Sequence, residues 1–373
     1  MQIEFPVNSF EITEKDIAKV VETLQLGLIS GDTYVVRDFE EKFAFKLGAE
    51  NAIAVNNGST ALDLAFTLVD LKPGDEVILP SFTIGSCLFP ILRAGATPIF
   101  VDCNSETWQM NPEEVIGKMS SKTKAILVVH TYGLAVEMEN LVKLCKAKKI
   151  LIIEDCAEAH GLKYNGRHCG NYGDIATFSF YANKIVTTGE GGMLIVKDQE
   201  TAQKARKIRN LSFNSGRRFI HDEVGWNYRL SSIQAALGIS QIDRIEEYVE
   251  HRQKVSLRYR ENLKDFPGIK WQAKENNGSK NIYWVNALIF DSSLYGLAED
   301  ISLKLLSVGI ETRPFFYPLH LQPVLEKYNF SAVTLPITEY IAKRGLYLPG
   351  GNKLNLASVD LICERLVRSL AYK

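Results

Sequence analysis

The residue best placed to do chemistry in this sequence is Lys184. It closely follows a strand-like apolar run, 175–180, and precedes a glycine-rich turn, Gly189-Glu-Gly-Gly192. Upstream, the apolar run Ile150-Leu-Ile-Ile ends in an acidic pair whose second member is Asp155. A lysine at a strand end can form a Schiff base with an aldehyde cofactor, and an acid beside it can keep a pyridine nitrogen protonated. Each feature alone is typical of a loop lysine or of any buried parallel strand, but together they predict a site for pyridoxal 5'-phosphate.

A third feature is a loop that could hold the phosphate of such a cofactor. Asn56-Asn-Gly-Ser-Thr60 follows an apolar run and opens a helical pattern. Unpaired amides at a helix N-terminus bind phosphate with help from the helix dipole. The alternative is that Ser59 or Thr60 only caps the helix. A Gly-x-Gly-x-x-Gly fingerprint and a Walker-type loop are both missing from the sequence, so dinucleotide-dependent and ATP-dependent functions lose their main support.

Composition excludes several other classes of protein. The 373 residues carry a net charge of −1, which gives no basic footprint for nucleic acid or anionic lipid. No apolar stretch approaches the length of a membrane span, and the first residues lack the pattern of a signal peptide. The six cysteines are scattered without a Cys-x-x-Cys pair, and the six histidines lack metal-ligand spacing. We therefore predict a cytoplasmic enzyme with reduced thiols, no metal, and neither nucleic acid nor membrane as a partner.

Apolar runs and amphipathic segments alternate through the first two-thirds of the chain. This pattern predicts a mostly parallel sheet covered on both faces, with ligands outside the carboxyl ends of its strands. The predicted strands are Ala52–Val55, Glu76–Leu79, Pro98–Val101, Ala125–Val129, Ile150–Ile153, Ile175–Phe180 and Met193–Val196. The predicted helices between them include Thr60–Leu68, Pro112–Met119 and Met138–Ala147.

Beyond Leu230 the pattern changes. We predict one long helix over 231–259, a strand over 283–290, a helix over 298–308, a strand over 309–313 and a terminal helix from Leu356. This is the pattern of a smaller α+β unit. We predict a large cofactor-binding domain, residues 1–245, and a small C-terminal domain, residues 246–373.

The order of several motifs resembles a known family, the pyridoxal-phosphate-dependent sugar-nucleotide aminotransferases of fold type I, in the aspartate-aminotransferase superfamily. The resemblance runs from about Asp32 to Tyr347. The motifs that carry it are Asn56-Asn-Gly-Ser-Thr60, Pro80-Ser-Phe-Thr83, Val101-Asp102, Glu154-Asp-Cys-Ala-Glu158, Phe178-Ser-Phe-Tyr-Ala-Asn-Lys184, Gly189-Glu-Gly-Gly192, Gly225-Trp-Asn-Tyr-Arg229, Gly309-Ile-Glu-Thr-Arg-Pro314 and Tyr317-Pro-Leu-His320. The resemblance implies a three-layer α/β large domain with a mostly parallel seven-stranded sheet and a smaller α+β domain.

The resemblance also implies a role for each cofactor-site residue. Lys184 would bind the cofactor aldehyde and then carry protons, and Asp155 would pair with the pyridine nitrogen. Asn227 would reach the phosphate from the other subunit, which makes the site a property of a homodimer. The remaining cofactor-binding candidates are Gly58, Ser59, Thr60, Ile84, Glu158 and Ser179. Ile84 departs from the family, where this position is often aromatic and stacks on the cofactor ring.

Further arginines and aromatic residues are candidates for binding the substrate. They are Arg217, Arg218, His221, Trp226, Arg229, Arg313, Phe316, Tyr317 and His320. Glu158 and the cluster Arg217-Arg-x-x-His221 are most similar to perosamine synthases. The implied reaction transfers an amino group from L-glutamate to C4 of GDP-4-keto-6-deoxymannose. Three alternatives stay open: a UDP- or dTDP-linked keto sugar aminated at C3 or C4, a sugar dehydratase, and a catalytically idle regulator on the same fold.

Overall fold

The computed structural model describes residues 3–213, 216–217, 219–328, 330 and 332–371. Seven strands form the central sheet, and each lies on one of the predicted apolar runs. They are β1 (Asn51–Val55), β2 (Glu76–Pro80), β3 (Thr97–Val101), β4 (Thr123–Val129), β5 (Leu151–Asp155), β6 (Ile175–Ser179) and β7 (Gly192–Val196). Their order is β1-β7-β6-β5-β4-β2-β3, with β7 antiparallel to both neighbours and the other pairs parallel. The predicted mostly parallel seven-stranded sheet is therefore confirmed.

The sheet is buried on both faces, as its near-continuous apolar strands require. In β2, Ile78 packs into one hydrophobic cluster while Val77 and Leu79 pack into another on the opposite face. The helices before, between and directly after the strands are Glu14–Gln25, Tyr34–Leu47, Gly58–Val69, Phe89–Arg93, Pro112–Lys118, Glu139–Lys148 and Gln199–Arg209. Two short 3-10 turns, Gly85–Cys87 and Thr131–Gly133, follow β2 and β4. This is a three-layer α/β arrangement.

The C-terminal part contains a second, four-stranded sheet. Its strands are β8 (Ile269–Trp271), β9 (Asn286–Phe290), β10 (Arg313–Pro314) and β11 (Gly345–Leu348), in the antiparallel order β8-β9-β11-β10. The accompanying helices are Ser232–Ile239, Ile245–Asn262, Ser292–Tyr295, Ala298–Ser307, Pro336–Arg344 and Leu356–Leu370. A third hydrophobic cluster packs this sheet against the helices Ile245–Asn262 and Leu356–Leu370. The division of the chain between residues 245 and 246 stays a prediction.

Three details of this C-terminal part were predicted wrongly. The helix expected over 231–259 is broken between Ile239 and Ile245, because the Gln241 side chain donates to the carbonyl oxygens of Leu237 (2.7 Å) and Thr187 (2.9 Å). The strand expected from Tyr283 begins three residues later, since Tyr283 has a left-handed φ of 50°. The strand expected over 309–313 shortens to Arg313–Pro314.

No helix among the described residues combines the length and apolar character that crossing a membrane requires. All six cysteines are buried and unpaired, as predicted.

Candidate active site

A cavity of about 530 Å³ lies at the carboxyl ends of the parallel strands. Seven of the nine predicted cofactor-binding residues line it: Gly58, Ser59, Ile84, Asp155, Glu158, Ser179 and Lys184. They come from separate segments of the sequence, and the parallel sheet brings them together because the carboxyl ends of its strands meet at one edge. The fold thus builds one polar cavity from the residues that were predicted to share a cofactor.

One end of the cavity is the N-terminus of the helix Gly58–Val69. Asn57 caps this helix by accepting the Thr60 N–H at 2.8 Å, and the Ser59 hydroxyl faces Ser86 at 2.6 Å. A Cβ at position 58 would lie 2.8 Å from the Cβ of Ser179, so the approach of the helix to the end of β6 requires glycine. The free amides of the first turn, with two serine hydroxyls beside them, suit a phosphate.

Thr60 differs from its neighbours in this loop. Its hydroxyl lies 2.6 Å from Asn56 Oδ1 and accepts the N–H of Asn57 at 3.2 Å. Its hydrogen atom is therefore already donated to Asn56, while its oxygen takes part in capping the helix. The predicted phosphate contact of Thr60 stays a prediction, and the geometry favours the capping alternative.

Asp155 ends β5 and is 4% exposed. Its Oδ1 accepts the Ala157 N–H at 2.9 Å, and its Oδ2 accepts the Cys87 S–H at 3.2 Å. Burial raises the pKa of this carboxyl, against the lowering effects of the Ala157 amide, the Cys87 thiol and the Lys184 charge. The two fixed donors orient the carboxylate at the floor of the cavity.

The Lys184 ammonium group is enclosed, since its side chain is only 11% exposed. Its Nζ lies 3.9 Å from Glu158 Oε1 and 4.0 Å from the centroid of the Trp284 ring. Burial lowers the pKa of Lys184, while the carboxylates of Glu158 and Asp155 raise it. A lysine with this balance can bind an aldehyde as a free amine and can exchange protons.

Glu158 faces Lys184 from the turn after β5. Its Oε2 accepts the N–H of Tyr132 at 2.7 Å. Burial raises the pKa of Glu158 to about 7, against the lowering effects of the Lys184 charge and the Tyr132 amide. Tyr132 is buried and holds a left-handed φ of 60°, a strained backbone that aims its N–H at the carboxylate.

The predicted substrate residues lie in different environments, and only some of them line a cavity. Phe316 lines the cavity, and Arg313 lines an adjoining cavity of about 250 Å³ whose wall shares Trp284 and Tyr347 with the first. Tyr317 is 58% exposed. His320 is buried, with Nδ1 2.6 Å from Ser81 Oγ and Nε2 3.3 Å from Glu339 Oε1. Both ring nitrogens of His320 are thus engaged inside the protein, which does not support its predicted substrate contact.

A second group lies on one outer segment, 217–229. Within the described part of the chain, Arg217, His221, Trp226, Asn227 and Arg229 are outside the wall of the 530 Å³ cavity. Asn227 and Trp226 are exposed, His221 Nδ1 lies 2.6 Å from the Leu211 carbonyl oxygen, and Arg229 donates to Asn210 Oδ1 at 2.6 Å. The predicted substrate residue Arg218 lies outside the described residues.

The sequence analysis missed two residues that contact the ionisable side chains of the cavity, the buried Cys87 and the cavity residue Trp284. Cys87 and Trp284 contact Asp155 and Lys184, yet neither belongs to a recognisable motif. A lone tryptophan just before the apolar run of β9 was the single available signal for Trp284, and none pointed to Cys87.

A buried cluster of His130, Glu154 and Cys156 has the spacing of metal ligands. His130 Nδ1 accepts the Val136 N–H at 3.2 Å, so Nε2 carries the ring proton and donates to Glu154 Oε2 at 3.1 Å. Glu154 also accepts three backbone N–H groups, from Gly170, Tyr172 and Gly173. The lone pairs that a metal ion would need are therefore engaged in hydrogen bonds.

The residues of the cavity fit pyridoxal phosphate. An enclosed lysine, a buried carboxylate and a helix N-terminus are the three groups that its aldehyde, pyridine nitrogen and phosphate require. All three line the same cavity.

Comparison with known proteins supports the same conclusion. Residues 11–367 match the DegT/DnrJ/EryC1/StrS aminotransferase family. A GDP-perosamine synthase of Escherichia coli O157:H7 is 36% identical over 362 residues, 97% of this chain and 97% of the relative. A GDP-perosamine synthase of Vibrio cholerae is 35% identical over 339 residues, 91% of each. The crystal structure of an aminotransferase from Streptoalloteichus hindustanus superposes with a TM-score of 0.92 at 28% identity, covering 98% of this chain and 99% of the other.

These matches extend over nearly the whole chain and confirm the predicted fold type I. The chain therefore belongs to the DegT/DnrJ/EryC1/StrS aminotransferase family and is a pyridoxal-phosphate-dependent aminotransferase.

Proposed function

We propose that this enzyme transfers an amino group from L-glutamate to C4 of a 4-keto-6-deoxy sugar linked to a nucleotide, with GDP-4-keto-6-deoxymannose as the preferred acceptor. The observation that carries the proposal is the enclosed Lys184, which shares one cavity with Asp155 and Glu158. The relatives described as GDP-perosamine synthases support the choice of sugar and nucleotide.

The cofactor would be held at three points. The amides at the start of the helix Gly58–Val69, with the hydroxyls of Ser59 and Ser179, would bind the phosphate. Asp155 would pair with the pyridine nitrogen, and its buried carboxylate would keep a proton there. Pyridoxal phosphate supplies an electron sink when it is bound.

Lys184 would bind the cofactor aldehyde in the resting enzyme and act as the proton carrier once the amino donor has freed it. Because burial disfavours the ammonium form, Nζ is available as a free amine that can take up a proton. It can then return that proton to a neighbouring carbon atom. Glu158 lies 3.9 Å away and has a pKa of about 7, so it would exchange its proton near neutral pH, and its ionised form would stabilise the charged form of the lysine.

The site would be completed by a second copy of the chain. Asn227 is exposed and lies outside the cavity of its own chain. Several large apolar side chains near the cavity mouth are also exposed in the single chain, among them Ile84, Phe89 and Tyr181. A symmetric partner that covers this surface would bury them and bring its own Asn227 to the phosphate.

Arg313 and Tyr317 are the best-placed substrate ligands. Arg313 lines the cavity that adjoins the Lys184 site, where a guanidinium group can bind a diphosphate. An exposed tyrosine nearby offers a face for a sugar or a base.

The test is a comparison of GDP-, UDP- and dTDP-linked 4-keto-6-deoxy sugars, each with L-glutamate, by kcat/KM for formation of 2-oxoglutarate. The GDP-linked sugar should lead by about tenfold or more, because an unpaired polar group in a base pocket costs roughly 1–3 kcal/mol. The Lys184→Ala variant is the control and should show no steady-state turnover while keeping its fold. A UDP- or dTDP-linked ketone with the higher kcat/KM would overturn the proposed substrate, and turnover by Lys184→Ala would overturn the proposed role of the lysine.

Mass spectrometry of the sugar products from the same reactions separates the alternative functions. An aminotransferase consumes one molecule of amino donor per amino sugar formed, whereas a dehydratase changes the sugar without retaining the amino group. A regulator on this fold would turn over none of the sugars.

A further inference from the structure

Arg252 is a buried arginine that the proposed reaction leaves without a role. It lies on the helix Ile245–Asn262 and is 3% exposed. Its Nε donates to Asn352 Oδ1 at 2.8 Å, and its Nη1 donates to the Trp284 carbonyl oxygen at 2.6 Å. Both acceptors are uncharged, and no carboxylate of the described residues lies within ion-pair distance of the guanidinium. A buried charge without a counter-ion is costly and calls for an explanation beyond packing.

Both acceptors of Arg252 are themselves bonded to the turn that carries Lys184. Asn352 Nδ2 donates to the carbonyl oxygen of Ile185 at 2.9 Å, and Trp284 Nε1 donates to that of Asn183 at 3.0 Å. The residues directly before and after the lysine are thus fixed by the side chains of Trp284 and Asn352. The same guanidinium group holds both of these residues, Asn352 by its side chain and Trp284 by its backbone carbonyl oxygen.

The lysine side chain is coupled to this arrangement as well, since its Nζ lies over the Trp284 ring at 4.0 Å. Among the other charged or titratable groups near Lys184, Glu158, Asp155 and Cys87 favour the protonated amine. Arg252 acts in the opposite direction, together with burial. The buried His160 also interacts with the lysine, since burial and the Lys184 charge both lower the pKa of that imidazole.

We propose that Arg252 is a positioning residue for Lys184: its unpaired guanidinium holds the turn on both sides of the lysine through Asn352 and Trp284, and its charge opposes the carboxylates of the cavity. The proposal rests on the proposed role of Lys184 as the residue that binds the cofactor aldehyde. It explains why a buried arginine without a carboxylate partner is tolerated here, since pairing it would remove the charge that acts on the lysine.

The effect of the Arg252 charge on the Lys184 amine is tested on the apo-protein. Lysines are labelled with trinitrobenzenesulfonate across a range of pH, and the Lys184 peptide is quantified by mass spectrometry. Arg252→Met removes the charge, and Asn352→Asp keeps the arginine but gives it a carboxylate partner. In both variants, labelling of Lys184 at pH 8 should slow by roughly threefold to tenfold, because more of the amine is protonated. Labelling of Lys72, whose side chain is 65% exposed, serves as the internal reference.

Two further variants complete the design. Arg252→Lys keeps the charge but lacks the planar guanidinium group that hydrogen-bonds to both acceptors. Labelling should therefore stay near wild type while kcat of the holoenzyme falls about tenfold. Arg258→Met, on the same helix, removes an exposed arginine that pairs with Asp360 and should leave Lys184 labelling unchanged. Thermal unfolding of each apo-protein verifies that the fold is kept.

The results separate this proposal from a purely structural role and from the proposed function. Unchanged Lys184 labelling in the folded Arg252→Met protein would overturn the inference. If that variant does not fold, unchanged labelling in Asn352→Asp has the same consequence. Slower labelling in an enzyme that aminates none of the tested sugars would support the role of Arg252 and contradict the proposed substrate instead.

Discussion

The wall of the cavity and the outer segment 217–229 both contain residues predicted to act on ligands, but they differ in environment. In the cavity, Asp155, Glu158 and Lys184 are enclosed, and each is held by fixed donors or neighbours from other elements. Along the outer segment, Trp226 and Asn227 are exposed. The chain by itself encloses the lysine and the two carboxylates of the cavity and leaves the side chains of Trp226 and Asn227 uncovered.

Three residues at or just before the outer segment have strained backbone conformations. Leu211, Ser212 and Phe219 adopt left-handed φ values of 61°, 50° and 70°. Such conformations cost free energy in residues other than glycine and persist where surrounding contacts impose them. Contacts within the chain supply part of that support, since the N–H groups of Leu211 and Ser212 donate to the carbonyl oxygens of Trp226 and Lys207, both at 2.9 Å.

The largest effect should come from a substitution among the enclosed residues of the cavity. Asp155→Asn keeps the shape of the side chain but removes the charge that holds the pyridine proton. Reaction of the holoenzyme with L-glutamate, followed by rapid-mixing absorbance, should slow by at least about a hundredfold, since an ionised partner is removed from a buried cation. Asp174→Asn, at the opposite edge of the sheet, is the matched control and should react normally. A wild-type rate for Asp155→Asn would show that the pyridine nitrogen has another partner.

The next experiment tests whether Asn227 of a second subunit completes the site. Asn227→Asp should weaken phosphate binding in trans, and Lys184→Ala should disable its own chain. Mixing the two should restore up to about a quarter of wild-type activity, because random pairing makes about half of the dimers mixed, with one intact site each.

A second mixture is the control for this complementation. Lys184→Ala combined with Asp155→Asn should recover nothing, since both residues belong to the same cavity of one chain. Recovery in the first mixture and not in the second supports a shared site. Lack of recovery in the first, once subunit exchange has been demonstrated, would place Asn227 outside its partner's site.

The same contrast explains what the sequence could predict. The seven strands were recognisable as apolar runs, because each is buried on both faces. The groups at their carboxyl ends, including Asp155 and Ser179, followed from the parallel arrangement. Lys184 was identified by the motif around it, and the cavity confirms only that these residues meet.

Contacts between distant segments were beyond prediction. Arg252, Trp284 and Asn352 reach the lysine turn from the C-terminal part of the chain, and nothing local in the sequence marks them. His320 shows the converse, since its motif predicted a ligand contact but the fold buries it against Ser81. Motif position is informative at strand ends, and less so where tertiary packing decides which side chain is covered.

A smaller effect concerns the contribution of Glu158 to the stability of the folded protein. The pKa of Glu158 is raised from 4.5 to about 7 by burial. Its contribution to stability is therefore full below pH 4.5 and is lost as the pH rises through 7, because the unfolded chain ionises first. Glu158→Gln should remove this loss, worth at most about 3 kcal/mol, and keep an acceptor for the Tyr132 N–H.

The measurement for Glu158 is urea unfolding of the apo-proteins between pH 5 and pH 8. Relative to Glu158→Gln, the wild type should become less stable toward pH 8. Parallel pH profiles of the two proteins would mean that Glu158 is ionised in the folded state throughout, paired with Lys184.

The smallest effect is expected at Ile84, on the border between the enclosed and the open regions. It lines the cavity and is 52% exposed in the single chain. Ile84→Phe should add a ring that stacks on the cofactor and tighten its binding roughly twofold to tenfold, since aromatic pairs gain about 0.5–1.5 kcal/mol beyond area burial. Fluorescence titration of the apo-protein with pyridoxal phosphate measures this, and Ile29→Phe, a similarly exposed isoleucine that is 59% accessible, is the control. Unchanged affinity in Ile84→Phe would mean that the cofactor face at this position is already covered, as it would be by the second subunit of the proposed homodimer.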